Sequence, residues 1–113
     1  MKTISTQKDL KKSLKEGEKE FTVTNKRLLK ALAVAYWIQN NKVKGALLLA
    51  ALPVAFSAAP LVGIVGAGLV IGGFTITAVE ILAIGAVIIG VIAIIKGQEI
   101  KEFDTKLGKV IFK

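Results

Sequence analysis

An apolar stretch of 51 residues, from Gly45 to Ile95, contains a single charged side chain, Glu80. A chain of 113 residues that folds in water buries only part of its surface, and so long an uncharged run exceeds what one small core holds. About 20 apolar residues cross a bilayer once as a helix, and about 40 cross it twice. The run therefore predicts a transmembrane hairpin of two helices.

The charged residues lie on both sides of this apolar run. The whole chain carries a net charge of +8, although 53% of its residues are hydrophobic. Lys42 and Lys44 precede the run, and Lys96 and Lys101 follow it. Because basic residues accumulate in cytoplasmic loops, this pattern predicts a multi-pass protein of the cell (inner) membrane with both termini in the cytoplasm. It also predicts contact with the anionic headgroups of a lipid bilayer.

Changes in composition divide the chain into four segments. Residues 1–24 predict a cytoplasmic strand–helix–strand segment. Residues 25–44 predict an amphipathic helix and linker, which lies either at the membrane interface or in the core of a folded layer. Residues 45–95 are the hairpin, and residues 96–113 predict a cytoplasmic β-hairpin tail. The predicted fold class is a mainly α membrane protein in which the N- and C-terminal segments form a small α+β layer.

Small residues recur along both predicted spans, at about 46–71 and 78–95. In lipid, where apolar burial does not drive helix association, faces of small residues let helix backbones approach closely. Alanine and glycine are also common in membrane spans for no special reason. The regular spacing of four in the first span favours a helix-packing face, formed by Ala51, Ala55, Ala59, Gly63 and Ala67. The second span has its own small residues on one face, Ala86, Gly90 and Ala93.

A second group of residues fits the boundary between membrane and water. Aromatic rings with a polar edge and lysines with long stems are enriched in this zone. The sequence places five such residues near the ends of the apolar run: Tyr36, Trp37, Lys42, Lys44 and Lys96.

Glu80 allows two interpretations. Thr77 and Glu80 have the spacing of a capping box, which would put the carboxylate in the first turn of the second helix. A helix that begins earlier would carry Glu80 deeper, where an oligomer could arrange it around a water-filled pore.

The composition argues against reaction chemistry. The chain has no histidine and no cysteine, so the commonest general base, the thiol nucleophile and the usual transition-metal ligands are missing. We therefore expect no catalytic, metal or cofactor site and no enzyme activity. Nucleic acid is not an expected partner, because acidic residues interrupt the N-terminal lysines, namely Asp9, Glu16, Glu18 and Glu20.

Two functions follow from this interpretation. The first is a membrane protein that self-associates through its glycine- and alanine-rich hairpin into a homo-oligomeric pore, as a toxin, holin or defence effector. In composition, residues 45–95 are similar to the hydrophobic hairpins of colicin-type pore formers, which implies insertion into a bilayer. The alternative is a non-conducting anchor, immunity protein or accessory subunit whose α+β layer binds a partner protein. In either case the apolar run could be sequestered before it meets lipid.

Overall fold

Strands from both ends of the chain share one sheet in the computed structural model, which describes residues 2–71, 74–104 and 106–113. Along the chain the elements are β1 (Lys2–Ile4), α1 (Gln7–Lys15), β2 (Glu20–Val23), α2 (Lys26–Asn40), α3 (Lys42–Ala51), a 3₁₀ turn (Leu52–Val54), α4 (Ala59–Val65), β3 (Gly68–Ile71), β4 (Phe74–Thr77), α5 (Ala78–Ala83), α6 (Gly85–Ile94), β5 (Ile100–Asp104) and β6 (Lys109–Phe112).

The terminal sheet has the strand order β1-β2-β6-β5. β1 runs parallel to β2, while β6 is antiparallel to both β2 and β5. Phe21 on β2 and Phe112 on β6 are buried and pack edge to face, with their ring centroids 5.7 Å apart. This sheet ties the N-terminal strand–helix–strand segment to the C-terminal hairpin.

Side-chain hydrogen bonds stabilise the start of α1, the turn between β5 and β6, and the contact between α2 and β5. The Thr6 side chain caps α1 by accepting a hydrogen bond of 3.0 Å from the Asp9 backbone N–H. At the β5–β6 turn, Asp104 Oδ1 accepts from the backbone N–H groups of Lys106 and Leu107 at 2.9 and 3.2 Å. The Gln39 side chain links α2 to the start of β5, because it donates to the Gln98 carbonyl and accepts from the Ile100 N–H.

Helix α2 occupies the core. The Asn25 side chain caps its first turn, and the five consecutive residues 31–35 are all fully buried. A helix that is apolar on every side must be surrounded by other elements, and α3, α6 and the strands β2, β3 and β5 all contact α2. Of the two interpretations of residues 25–44, the core position is the one observed for α2.

The apolar run from Gly45 to Ile95 folds into short pieces. Pro53 lies in the 3₁₀ turn and Pro60 in the first turn of α4, so each proline sits where a helix has just ended or begun. Gly66, at φ 65°, ends α4, and β3 and β4 then form a two-stranded hairpin. Within the described residues, no helix has the length and apolar character that a bilayer crossing requires.

The predicted transmembrane hairpin is therefore wrong, as are its two spans at about 46–71 and 78–95. The predicted fold class of a mainly α membrane protein is wrong for the same reason, and so are the pore-forming and ion-channel character and the multi-pass placement in the inner membrane that depended on the spans. The physical cause is mutual burial: the large side chains of the run pack against one another and α2. Those with no exposed surface include Leu48, Leu61, Ile76, Ile81 and Ile88.

Candidate functional site

One side of α3 and the turn after it present apolar side chains to solvent. Val43 is 78% exposed, Leu47 54% and Val54 67%, and Phe56 in the following loop is 99% exposed. Leu48, on the opposite side of α3, is fully buried. We call Val43, Leu47, Val54 and Phe56, with the exposed Ala46 and Ala50 between them, the apolar face. Contiguous exposed apolar surface of this kind marks an interaction site more often than chance.

Helix α4 borders a groove next to this face. Trp37, Asn41 and Lys44, at the junction of α2 and α3, form one wall of the groove. Residues 62–66 and 68–70, from α4 and β3, form the other wall. The groove has a volume of about 450 Å³, and Lys44 is the only charged residue that lines it within the described part of the chain.

Basic residues flank the apolar face at the start of α3. Lys42 and Lys44 are exposed on either side of Val43. Lys42 lines a second groove together with Lys101, Lys113 and Glu99. The hydrogen bond from Lys113, at 2.7 Å, and then the charges of Lys113 and Lys42 lower the pKa of Glu99. This corner of the molecule is therefore positively charged and lies beside an uncharged apolar surface.

Glu80 is bound within the chain. Its backbone N–H donates to the Thr77 hydroxyl, and its carboxylate accepts from the Thr77 backbone N–H, so the capping box is present at the start of α5. The carboxylate also forms an ion pair with Lys30 on α2. The hydrogen bond from Lys30 is the main cause that lowers the pKa of Glu80, followed by the one from the Thr77 backbone. Glu80 thus ties α5 to the core helix.

Acid is expected to weaken this tie. Because the pKa of folded Glu80 lies below its unfolded value, the stabilisation is complete above the unfolded pKa and is lost as the pH falls through the folded pKa. Asp9 and Glu99 also have lowered pKa values, so they contribute to the pH dependence of the stability of the unchanged protein. Comparison of the unchanged protein with Glu80→Gln isolates the contribution of Glu80. We expect this variant to lose about 0.2–1 kcal/mol at pH 7 and to show a smaller decrease in stability on acidification. Urea unfolding at pH 7 and pH 3 measures both, and identical pH dependence of the two proteins would contradict the account.

The predicted helix-packing residues do not form one face. Ala51 ends α3, Ala55 and Ala67 lie in loops, and Ala59 and Gly63 belong to α4. Ala86, Gly90 and Ala93 share α6, where a Cβ added to Gly90 would clash with the Gln7 side-chain oxygen. The first series of small residues therefore spans several elements, because the helix that was expected to carry it is broken at Pro53 and Pro60.

The structure places the predicted interface residues in different surroundings. Tyr36 is partly buried and stacks on Phe103, with ring centroids 6.2 Å apart. Trp37 lines the groove, where Lys44 lies with it. Lys42 and Lys96 are exposed, the first at the start of α3 and the second just beyond α6. Trp37 and Lys44 thus line one groove, while Lys42 lines another with Tyr36, and Lys96 belongs to another part of the chain.

Sequence reasoning missed several of these features. It did not pair Lys30 with Glu80, which lie 50 residues apart and carry no local signal of contact. It placed Leu47, Ala50 and Phe56 of the apolar face in a membrane span. The helical spacing of Val43, Leu47 and Ala50 does indicate that they share one side of a helix. It considered the N-terminal lysines but did not place them on one side of α1, as their helical spacing does: Lys8, Lys11, Lys12 and Lys15.

Comparisons with protein-family models, with curated proteins and with solved structures found no match to this chain. In the described residues, no cluster of three or more acidic side chains has the arrangement of a metal site. The apolar face, the groove and the neighbouring lysines are therefore the features from which a function can be argued.

Proposed function

We propose that this protein binds reversibly to anionic lipid surfaces through the apolar face, with α3 lying along the surface. The proposal rests on the exposure of the apolar face, in which four large apolar side chains of one short segment are open to solvent. No charged residue occurs from Leu47 to Phe56. An interfacial helix buries such side chains at the boundary between headgroups and acyl chains. This arrangement requires no helix that crosses the bilayer.

The charge distribution favours anionic lipid over a second copy of the chain. Lys42 and Lys44 lie at the edge of the apolar face, and the net charge is +8. Lysines next to an anionic lipid surface each contribute about 1 kcal/mol of attraction. A lipid surface with many negative charges compensates these lysines, whereas a second copy of the chain brings its own net charge of +8. That the chain forms a homo-oligomer, and that its α+β layer binds a partner protein, remain predictions.

Replacing Leu47 by glutamate is expected to weaken lipid binding about tenfold. Burial of a leucine side chain contributes roughly 1.5–3 kcal/mol, and about half of the Leu47 surface is available for it. Glutamate removes this contribution and adds repulsion from anionic headgroups. Co-sedimentation with vesicles of phosphatidylglycerol, and with vesicles of phosphatidylcholine for comparison, measures the change.

The matched control is Leu107→Glu. Leu107 is 69% exposed but lies in the β5–β6 turn, at the opposite end of that hairpin from Glu99 and its neighbour Lys42. We expect this variant to bind phosphatidylglycerol vesicles like the unchanged protein, apart from the common effect of one added negative charge. Equal loss in both variants would mean that net charge alone drives binding. Undiminished binding by Leu47→Glu, or self-association of the protein in place of vesicle binding, would refute the role of the apolar face.

A further inference from the structure

We propose that the second groove, at the start of α3, binds the phosphate monoester headgroup of a membrane lipid of the phosphatidic acid class. This inference rests on the proposed binding to anionic lipid and goes beyond it, because it names the headgroup that the protein prefers. The groove and the apolar face meet at consecutive residues, since Lys42 lines the groove and Val43 belongs to the face. A lipid in contact with the face therefore has its headgroup beside the groove.

The side chains of the second groove suit a polar, doubly charged group. The groove has a volume of about 390 Å³, and within the described residues Ile100 is the only lining residue whose side chain carries no polar atom. Three lysines and one carboxylate, that of Glu99, line the groove, so its side chains have a net charge of +2. A phosphate monoester carries about −1.5 to −2 charges at pH 7, whereas the phosphodiester of phosphatidylglycerol carries a single one. The monoester therefore matches the groove more closely.

Two of the three lysines are available to such a ligand. Lys113 donates a hydrogen bond of 2.7 Å to Glu99, so these two charges compensate each other. Lys42 and Lys101 are exposed, and neither forms an ion pair within the described part of the chain. The charge of Lys42 contributes to the lowered pKa of Glu99, which shows that Lys42 acts on the same groove. The two ammonium groups can therefore donate charge-assisted hydrogen bonds to phosphate oxygens.

Strand geometry and a ring contact direct two donors into the groove. Consecutive side chains of a regular strand point to opposite faces, but the register of β5 and β6 shifts between Ile100 and Glu102, and both Ile100 and Lys101 line the groove. Shifts of this kind re-aim side chains at functional sites. Tyr36 lines the groove while its ring stacks on Phe103, and its hydroxyl forms no hydrogen bond to any described residue. This hydroxyl is a further donor for a phosphate oxygen.

Co-sedimentation with vesicles measures the preference between the two headgroups. The vesicles are of phosphatidylcholine with either phosphatidic acid or phosphatidylglycerol, in amounts that give the same surface charge at each pH. At pH 8 we expect about fivefold tighter binding to phosphatidic acid, because its dianion pairs with both available lysines. At pH 5 the preference should disappear, since the monoester, with a second pKa near 6, then keeps a single charge. The chain has no histidine that would titrate over this range.

Three variants separate the groove from net charge. Lys101→Gln should bind the two kinds of vesicle to within about twofold of each other at pH 8. Its matched control is Lys12→Gln, which removes the same charge from an exposed position on α1 outside the groove and should keep the preference. Tyr36→Phe changes no charge and keeps the ring that stacks on Phe103, and it should reduce the preference about threefold by removing one donor.

Dihexanoyl phosphatidic acid below its micellar concentration distinguishes this inference from the proposed function, because it needs no bilayer. We expect saturable shifts of the amide NMR signals of Tyr36, Lys101 and Lys113, both in the unchanged protein and in Leu47→Glu, and much smaller shifts with dihexanoyl phosphatidylglycerol. No saturable shift, equal vesicle binding to both headgroups, or equal preference in Lys101→Gln and Lys12→Gln would overturn the inference. Saturable shifts without any vesicle binding would support the groove and refute the role of the apolar face.

Discussion

Replacing Leu32 by alanine is expected to lower the free energy of unfolding by about 2–5 kcal/mol. Leu32 has no exposed surface and lies in the middle of the buried stretch of α2, residues 31–35, which α3 and α6 enclose. Because small domains are stable by only about 5–15 kcal/mol, this loss removes a large part of the total. Urea denaturation followed by far-ultraviolet circular dichroism measures it.

Leu29→Ala is the matched control for this measurement. Leu29 lies on the same helix but is only partly buried, so its truncation should cost clearly less. If both substitutions had the same small effect, α2 would not be the core of the fold. An interfacial position for residues 25–44 would then regain support.

Replacing Gly45 by alanine is expected to destabilise the protein by about 1–3 kcal/mol, although alanine normally favours a helix. A Cβ at Gly45 would lie 2.9 Å from the backbone Cα and carbonyl oxygen of Ile38, so α3 would have to move away from α2. Gly63→Ala, in open space on α4, should instead stabilise the protein by about 0.5–1 kcal/mol. Thermal unfolding of the two variants should therefore give shifts of opposite sign.

This pair of substitutions distinguishes the observed fold from a continuous span. Both glycines lie in the apolar run. In a transmembrane helix, the effect of each substitution would depend on whether the glycine faced lipid or another helix. A stabilising Gly45→Ala would contradict the close contact of α2 and α3. A strongly destabilising Gly63→Ala would contradict the open position of Gly63.

The terminal elements could be located from the sequence because short-range signals determine them. Thr6 and Asn25 cap α1 and α2 at the residues where side-chain acceptors precede an apolar pattern. Asp104 nucleates the turn between β5 and β6 in the same way. The Thr77–Glu80 capping box was also visible, and it begins α5. Each of these signals involves residues within four positions of one another, so no knowledge of the tertiary fold was needed.

The central run could not be predicted because hydropathy does not say what covers an apolar side chain. Pro53 and Pro60 interrupt the run, but neighbouring helices in a membrane can satisfy the backbone groups that a proline frees, so the two prolines alone do not exclude a span. In the structure they separate α3, the 3₁₀ turn and α4, and the pieces pack on α2. The second hairpin, β3–β4, was missed because its strands, Gly68–Ile71 and Phe74–Thr77, continue the same apolar composition.

The candidate site was only partly visible for a related reason. Trp37, Lys42 and Lys44 were predicted to lie at a lipid interface, and of these three Trp37 and Lys44 line the same groove. The groove itself requires residues 62–70 to return beside Trp37, which is a long-range contact of α2 with β3. No periodicity in the sequence encodes that return.

Site-specific fluorescence on vesicles tests most directly whether the apolar face meets lipid while the rest of the chain stays in water. The chain has no cysteine, so Val54→Cys and Leu107→Cys each give a single site for an environment-sensitive nitrobenzoxadiazole label. We predict that phosphatidylglycerol vesicles shift the emission of the label at position 54 to shorter wavelength and increase its intensity, and leave the label at position 107 unchanged. No change at position 54, or equal changes at both positions, would contradict the account.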